Sequence, residues 1–347
     1  MRHTPAVLLS VLLVTTAAQA SDLSGAGSSA AAPLYNAWAA EWGKKTGVKL
    51  EYTASGSSAG IKAIKEGKVD FGASDVSLPP DQLERDGLVN FPTAISGVVP
   101  AINVNGVARG QLKLTGAVLA DILSGRINRW NASAITALNP GVRLPDQAIT
   151  VIGREDGSGT TYVLSNYLSK VSPQWASSLG NDFKLKWPEG TKLVKGTSAQ
   201  LEALSKTSGA IAYAEYGQVE KAGLNYARVA NSAGNYPAPG PISFKAALKA
   251  SAWTTAGKFE EMLTDMQDKE AWPITSGTFV VMRKKVTDAS KAAQALSLFS
   301  YGFMRGDAIT AEFRWIAMPD LTQARAVKEM NKVRDKDGQP IAWNMNF

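Results

Sequence analysis

The 347-residue chain contains no cysteine and a single histidine, His3. The missing cysteines exclude a disulfide framework, a thiolate nucleophile and any Cys-ligated metal. His3 lies in an N-terminal stretch that reads as a removable leader, so the chain expected to remain has neither Cys nor His. Ser-His-Asp and Cys-His catalysis are then impossible, and a zinc site is not expected. No metal and no cofactor are expected. Enzymes built from carboxylates, Lys or Tyr stay open. The sequence after the leader also lacks any run of about 18 apolar residues, so no membrane-spanning helix is expected. No Gly-Lys-Ser/Thr phosphate loop occurs, and Gly25-Ala26-Gly27 is too short for a dinucleotide fingerprint.

The leader itself has the parts of an export signal. Arg2 and His3 precede the apolar run Val7 to Val14, which ends in the small-residue site Ala18-Gln19-Ala20. Cleavage is expected after Ala20, and with no cysteine downstream an N-terminal lipid anchor is not expected. Without residues 1–20 the chain still exceeds the roughly 250–300 residues at which one hydrophobic core stops growing, so two lobes are the default. The formal net charge is +7, less one with the loss of Arg2. A basic balance suits anionic ligands, nucleic acid or anionic surfaces alike. Lys44, Lys45, Lys62, Lys65 and Lys68 stand without interleaved stacking aromatics, so nucleic acid is not the expected partner.

Short β-rich runs alternate with helical patterns, which predicts an α/β fold with substantial parallel sheet. Val48, Leu50 and Tyr52 alternate as a half-buried strand would. Val98 to Val104, Ala210 to Tyr213 and Phe279 to Met282 are further strand candidates. Leu34, Ala37, Trp38 and Trp42 repeat at helical spacing, as do Val163, Leu164, Tyr167 and Leu168. Trp38, Trp42, Trp130 and Trp272 read as packing residues.

Three junctions place Ser, Thr and Gly directly before a helical pattern: Ser24 to Ser29, Ser55 to Gly60, and Asp156 to Thr161. A helix start offers unpaired N–H groups and the positive end of its dipole, while glycine lets an anion approach the backbone. Singly, each reads more simply as an N-cap. Asp75 after Ser74, taken alone, reads as a turn cap, and Arg154-x-Asp156 as an ion pair. Gly56-Ser57-Ser58-Ala59-Gly60 fits the nucleophile-elbow pattern, but an elbow needs a histidine base.

Several separate motifs change that balance. Gly25-Ala26-Gly27, Gly56-Ser57-Ser58, Val69 to Asp75, Leu138-Asn139-Pro140-Gly141, Asp156 to Thr160, Tyr213-Ala214-Glu215-Tyr216 and Ala271 to Ser276 occur in order along nearly the whole chain. In these it closely resembles the phosphate-binding proteins of bacterial high-affinity phosphate ABC transporters. The resemblance implies a two-lobed periplasmic-binding-protein fold of type II, with the ligand in the cleft. It places residues 21–105 and 272–347 in one lobe and 106–271 in the other. It also implies a periplasmic monomer that captures inorganic phosphate and hands it to a membrane permease with its ATPase.

Carried over position by position, the implied phosphate contacts are Ser29, the backbone of Ala30, Ser57, Asp75, Arg154, Ser158, Gly159 and Thr160, with Asp156 supporting Arg154. Ser29 stands where threonine is common in the family and keeps the hydroxyl. Ala30 stands at a phenylalanine position, keeping the N–H but offering a smaller apolar wall. An ionised Asp75 only accepts hydrogen bonds, so it favours an anion that carries a proton, as phosphate does near neutral pH and sulfate does not. Another oxyanion or phosphoester as ligand, and a carboxylate-based phosphatase, remain as alternatives.

Overall fold

The computed structural model describes residues 22–347, so the expected leader and its cleavage site lie outside the described residues. The strands are β1 (Leu23–Gly27), β2 (Leu50–Thr53), β3 (Phe71–Ser74), β4 (Leu88–Asn103), β5 (Lys113–Leu114) and β6 (Thr150–Arg154). They continue with β7 (Lys192–Val194), β8 (Ala210–Glu215), β9 (Asn225–Tyr226), β10 (Arg228–Val229) and β11 (Thr275–Arg283). The main sheet runs β2-β1-β3-β11-β4-β8-β6-β7, with β9 beside β4, and β5 pairs with β10 apart from it.

The flanks of the sheet are parallel, as the alternation of strands and helices predicts: β1 with β2 and β3, and β6 with β7 and β8. Its middle is not. There β11 runs antiparallel to both β3 and β4, and β4 runs antiparallel to β8. β4 is the spine of the molecule. Its first part, Leu88 to Gly97, pairs with β11, and its second, Val98 to Asn103, pairs with β8. The change of partner at Gly97/Val98 divides the sheet into two halves.

The sequence places a strand only from Val98 to Val104, because Asn90, Pro92, Thr93, Ser96 and Gly97 interrupt the apolar run before it. The observed strand begins ten residues earlier, at Leu88, and is buried from Leu88 to Ile102. Burial on both faces removes the alternation by which a strand is recognised. Pro92, which cannot donate to the ladder, sits where the register against β11 shifts between Thr278 and Phe279.

Helices cover the sheet. In Ala32–Thr46, Leu34, Tyr35, Trp38, Ala39 and Trp42 are buried, and Gly47 closes the helix in the left-handed conformation at φ 74°. The indole N–H groups of Trp38 and Trp42 donate to the Gly306 carbonyl and to Ser297, so neither leaves a polar atom stranded. Trp130 and Trp272 are likewise fully buried. Among the described residues no helix is long and apolar enough to cross a membrane.

Candidate ligand site

Ser28 to Ala31 follow β1, Ser57 opens the helix Ser57–Lys65 after β2, and Asp75 follows β3. From the other half of the sheet, Arg154 ends β6, and Ser158 to Thr160 lead into the helix Gly159–Val171. All of these positions lie beyond the carboxyl ends of parallel strands, where open α/β sheets gather ligand-binding loops. The three Ser/Gly junctions singled out in the sequence therefore meet at one cleft.

The cleft is closed. The Ser58 N–H donates to the Gly157 carbonyl at 3.0 Å, and the Ser29 and Thr197 hydroxyls lie 2.9 Å apart. The Gln218 amide donates to the carbonyls of Ser29 and Ala30 at 3.1 and 2.9 Å. Glycine at 159 is required at this seam, since a Cβ there would stand 2.3 Å from Ser57 Oγ and 2.8 Å from Asp75 Cβ.

Ser158 is an N-cap: its Oγ accepts the Thr161 N–H at 3.2 Å. That bond occupies a lone pair and leaves the hydroxyl proton free to donate, so capping and ligand binding are compatible. The N–H groups of Gly159 and Thr160 belong to the first helical turn and have no partner within the helix. The Ala30 N–H donates to no backbone carbonyl among the described residues.

Asp75 caps nothing. The turn after β3 is closed by Ser74, whose hydroxyl donates to the Val76 carbonyl and accepts the Val76 N–H. The Asp75 backbone N–H donates to Ser57 Oγ at 3.2 Å, which sets the residue against the neighbouring junction. Its carboxylate accepts from the Ser28 hydroxyl at 2.5 Å and lies 3.5 Å from the Thr160 hydroxyl. Burial pushes this carboxyl up to about 6, against the pull of Ser28, Thr278, Arg154 and Thr160. At neutral pH it is mostly ionised and acts as an acceptor among donors.

Arg154 is 1% exposed. Asp156 grips its guanidinium in bidentate fashion, at 2.7 Å to Nε and 2.5 Å to Nη2. Burial works to raise the Asp156 carboxyl, but Arg154 and the Gly196 N–H outweigh it and hold the group below its usual range. The pair is thus close to neutral, and Nη2 still reaches Ser29 Oγ at 3.1 Å. Tyr213 fixes the base of the arginine: its hydroxyl accepts the Arg154 N–H at 3.2 Å and contacts Thr161 Oγ1 at 2.8 Å.

A small cavity adjoins the cleft, lined among others by Ala30, Asp75, Thr160, Glu215 and Trp315. Trp315 is 3% exposed and supplies apolar wall on the same cavity as Ala30, where the side chain is short. Glu215, fully buried at the end of β8, accepts from the Ser96 hydroxyl at 2.5 Å and from the N–H groups of Gly217 and Gln218. Burial pushes it up to about 7 despite those donors. Reading the sequence misses Ser28, Thr197, Gln218 and the role of Glu215. Ser28 stood inside the Ser24 to Ser29 junction and Glu215 inside the Tyr213 to Tyr216 motif, while Thr197 and Gln218 had no signal.

These two acids make a prediction about the free protein. The folded chain holds their protons more tightly than the unfolded chain, where the carboxyls titrate near 3.8 and 4.5. Their favourable contribution is complete below about pH 4 and lost as pH rises through 6 and 7, by up to about 3 kcal/mol each. Stability of the closed form without ligand is therefore expected to rise from pH 7.5 to pH 5, and Glu215→Gln to remove part of that slope. Urea midpoints at the two pH values test this; a flat or inverted slope would contradict the raised carboxyls.

The arrangement is a neutralised arginine fork, hydroxyl and N–H donors, and one ionised acceptor, with no histidine or cysteine. Among the described residues no group of three or more metal-ligating side chains is assembled. Such a site has the donors and the acceptor that a tetrahedral oxyanion carrying a proton would need, and the two-halved sheet is that of a two-lobed solute-binding protein of the periplasmic type. The model of the PBP superfamily domain matches residues 14–302. The phosphate-binding protein PstS of Xylella fastidiosa strain 9a5c is 39% identical over 297 residues, covering 86% of this chain and 81% of that protein. PstS of Pasteurella multocida is 36% identical over 337 residues, 97% of each chain. A phosphate-binding protein structure from Stenotrophomonas maltophilia superposes with a TM-score of 0.67 at 19% identity, over 89% of this chain and 93% of that one. The chain belongs to the PstS family of phosphate-binding proteins, within the PBP superfamily.

Proposed function

We propose that this chain is the periplasmic receptor of an ABC-type phosphate importer, binding inorganic phosphate and releasing it chemically unchanged to a membrane permease with its ATPase. Family membership supports the role, and the observation that carries the ligand is Asp75, one buried acceptor facing donors from the opposite wall. Phosphate entering the open cleft exchanges water for the hydroxyls of Ser29, Ser57, Ser158 and Thr160, the N–H groups of Ala30, Gly159 and Thr160, and the Arg154 fork held by Asp156. Its O–H group donates a hydrogen bond to the Asp75 carboxylate. Closure is a population shift driven by ligand contacts that only the closed state completes.

Residues 21–105 and 272–347 form one lobe and 106–271 the other. The leader is removed after Ala20, and the mature protein acts as a monomer without nucleic acid.

Calorimetry with phosphate and sulfate tests the reading. Sulfate brings no proton, so Asp75 loses a charge-assisted bond and repels the dianion, a penalty of at least about 1–3 kcal/mol, or about 5- to 150-fold. Sulfate binding as tight as phosphate would remove the role given to Asp75. Asp75→Asn keeps the size and adds a donor, so the phosphate-to-sulfate affinity ratio is expected to fall by about 10-fold or more. A ratio unchanged from wild type would count against proton reading. Steady hydrolysis of a phosphoester by pure protein would instead restore the phosphatase alternative.

A further inference from the structure

Ser28 is 1% exposed and makes no use of its hydroxyl that the ligand contacts explain. Its backbone is locked: the N–H donates to the Ala73 carbonyl at 3.0 Å, and the carbonyl accepts from the Tyr52 hydroxyl at 2.9 Å. The preceding Gly27, at φ 139°, allows this approach, since a Cβ there would stand 2.0 Å from the Ala73 carbonyl oxygen. Ser28 Oγ accepts the Ala31 N–H at 3.1 Å and donates to Asp75 Oδ1 at 2.5 Å. A hydroxyl has one proton, and here it has one destination.

We propose that Ser28 is the positioning residue for Asp75: by holding Oδ1 it turns Oδ2 to the ligand's proton, and so governs discrimination between protonated and unprotonated oxyanions. The proposal rests on the phosphate reading above for the identity of the ligand, but not for the Ser28–Asp75 contact. Oδ2 is the oxygen near Thr160 and near the Gly159 backbone. With Oδ1 engaged by Ser28, a proton brought by the anion meets Oδ2, whose one other donor is the long contact from the Thr160 hydroxyl. Without the Ser28 hydroxyl the carboxylate loses its shortest donor and one of the restraints on its orientation.

The other groups acting on Asp75 come from every side. Arg154 stands at the end of β6, Thr160 on the helix Gly159–Val171 and Thr278 on β11, and all three favour the ionised form. The buried Tyr35 and Tyr52 hydroxyls and Glu215 feel its charge. Of these, Ser28 makes the shortest contact and does not itself touch the proposed ligand position. A protonated Asp75 turns from acceptor to donor and ceases to reject sulfate. Loss of Ser28 is therefore expected to move the breakdown of selectivity to higher pH.

The test compares wild type, Ser28→Ala and Ser28→Thr. Carboxyl ¹³C NMR of the ligand-free proteins, with the Asp75 signal assigned by its absence in Asp75→Asn, gives the titration midpoint. Calorimetry from pH 5 to 8 gives the phosphate-to-sulfate ratio. Ser28→Ala is expected to move the midpoint upward by about one pH unit and to lower the ratio at pH 6 by about 10-fold, the worth of one charge-assisted bond. Ser28→Thr, which keeps the hydroxyl, is expected to stay near wild type in both. The proposal is overturned if Ala leaves midpoint and ratio unmoved, or if Thr shifts them as far as Ala does. Failure of wild type to bind phosphate would instead overturn the phosphate reading, and the titration midpoint would still decide the Ser28–Asp75 contact.

Discussion

Replacing Arg154 with alanine is expected to weaken phosphate binding by about 100-fold or more, beyond the loss of its own contacts. The guanidinium supplies charge-assisted hydrogen bonds, each worth about 1.5–3 kcal/mol. It also neutralises Asp156, which otherwise accepts only backbone N–H groups, Gly196 at 3.1 Å among them. Removing one partner of a buried pair costs about 3–5 kcal/mol, because the other charge is left uncompensated. Part of that cost falls on folding, since the pair exists with or without ligand. The rest falls on binding, because a bare Asp156 carboxylate then faces an incoming anion across the cleft. Two further variants separate these effects. Arg154→Lys keeps the charge but not the planar fork, and is expected to lose about 10-fold. Arg154→Ala combined with Asp156→Ala removes the repelling charge, and is expected to bind more tightly than Arg154→Ala alone. Calorimetry on the three, with melting temperatures of the free proteins, separates binding from stability. An Arg154→Ala affinity within threefold of wild type would take the arginine out of the site.

Much of this was legible before any coordinates, and the parts that were not share a physical cause. The helix Ala32–Thr46 announces itself because its one buried face carries Leu34, Trp38 and Trp42 at helical spacing. The parallel flanks follow from the alternation of strands and helices. The first half of β4 does not, because a strand buried on both faces can hold Asn90, Thr93 and Ser96 inside as long as neighbours satisfy them. Asn90 donates to Ser77, Thr93 to the Thr278 carbonyl and Ser96 to Glu215. The site divides in the same way. Ser57, Arg154 and Ser158 to Thr160 sit at helix starts and strand ends that local sequence reveals, but their meeting is set by the order of strands in the sheet. Resemblance supplied that meeting where spacing did not. The contacts no local reading supplies are long-range. Ser28 and Asp75 are 47 residues apart, Ser29 and Thr197 168, and Gln218 and Ser29 189. Ser28 lies inside a junction that the sequence marks and Gln218 does not, but neither shows its partner until the fold brings that partner alongside.

Gly159→Ala is the substitution expected to uncouple folding from binding most cleanly. The position is the first of a helix, where alanine forms helix at least as well as glycine. The added methyl has no room in the closed cleft. It would stand 2.3 Å from Ser57 Oγ, 2.8 Å from Asp75 Cβ and 2.9 Å from Asp75 Oδ2. The Ser57 hydroxyl cannot simply swing aside, because it accepts the Asp75 N–H, and the Asp75 Cβ is fixed by its backbone. Both obstacles belong to the opposite half of the sheet, so an open cleft relieves the clash and a closed one does not. Overpacking of this kind costs about 1–3 kcal/mol, or about 5- to 150-fold in affinity for a ligand that binds by closure. The methyl also screens the N–H groups of the first turn from the anion, which places the expected loss at the upper end, near 100-fold. The ligand-free melting temperature is expected to match or slightly exceed wild type, while the rise on adding millimolar phosphate is expected to shrink sharply. Thermal shift with and without phosphate, backed by calorimetry, reads both. A variant that binds phosphate as wild type does would mean that the two halves of the sheet need not approach this closely around the ligand. A variant that fails to fold would mean that the seam at Gly159 is permanent packing and not a cleft.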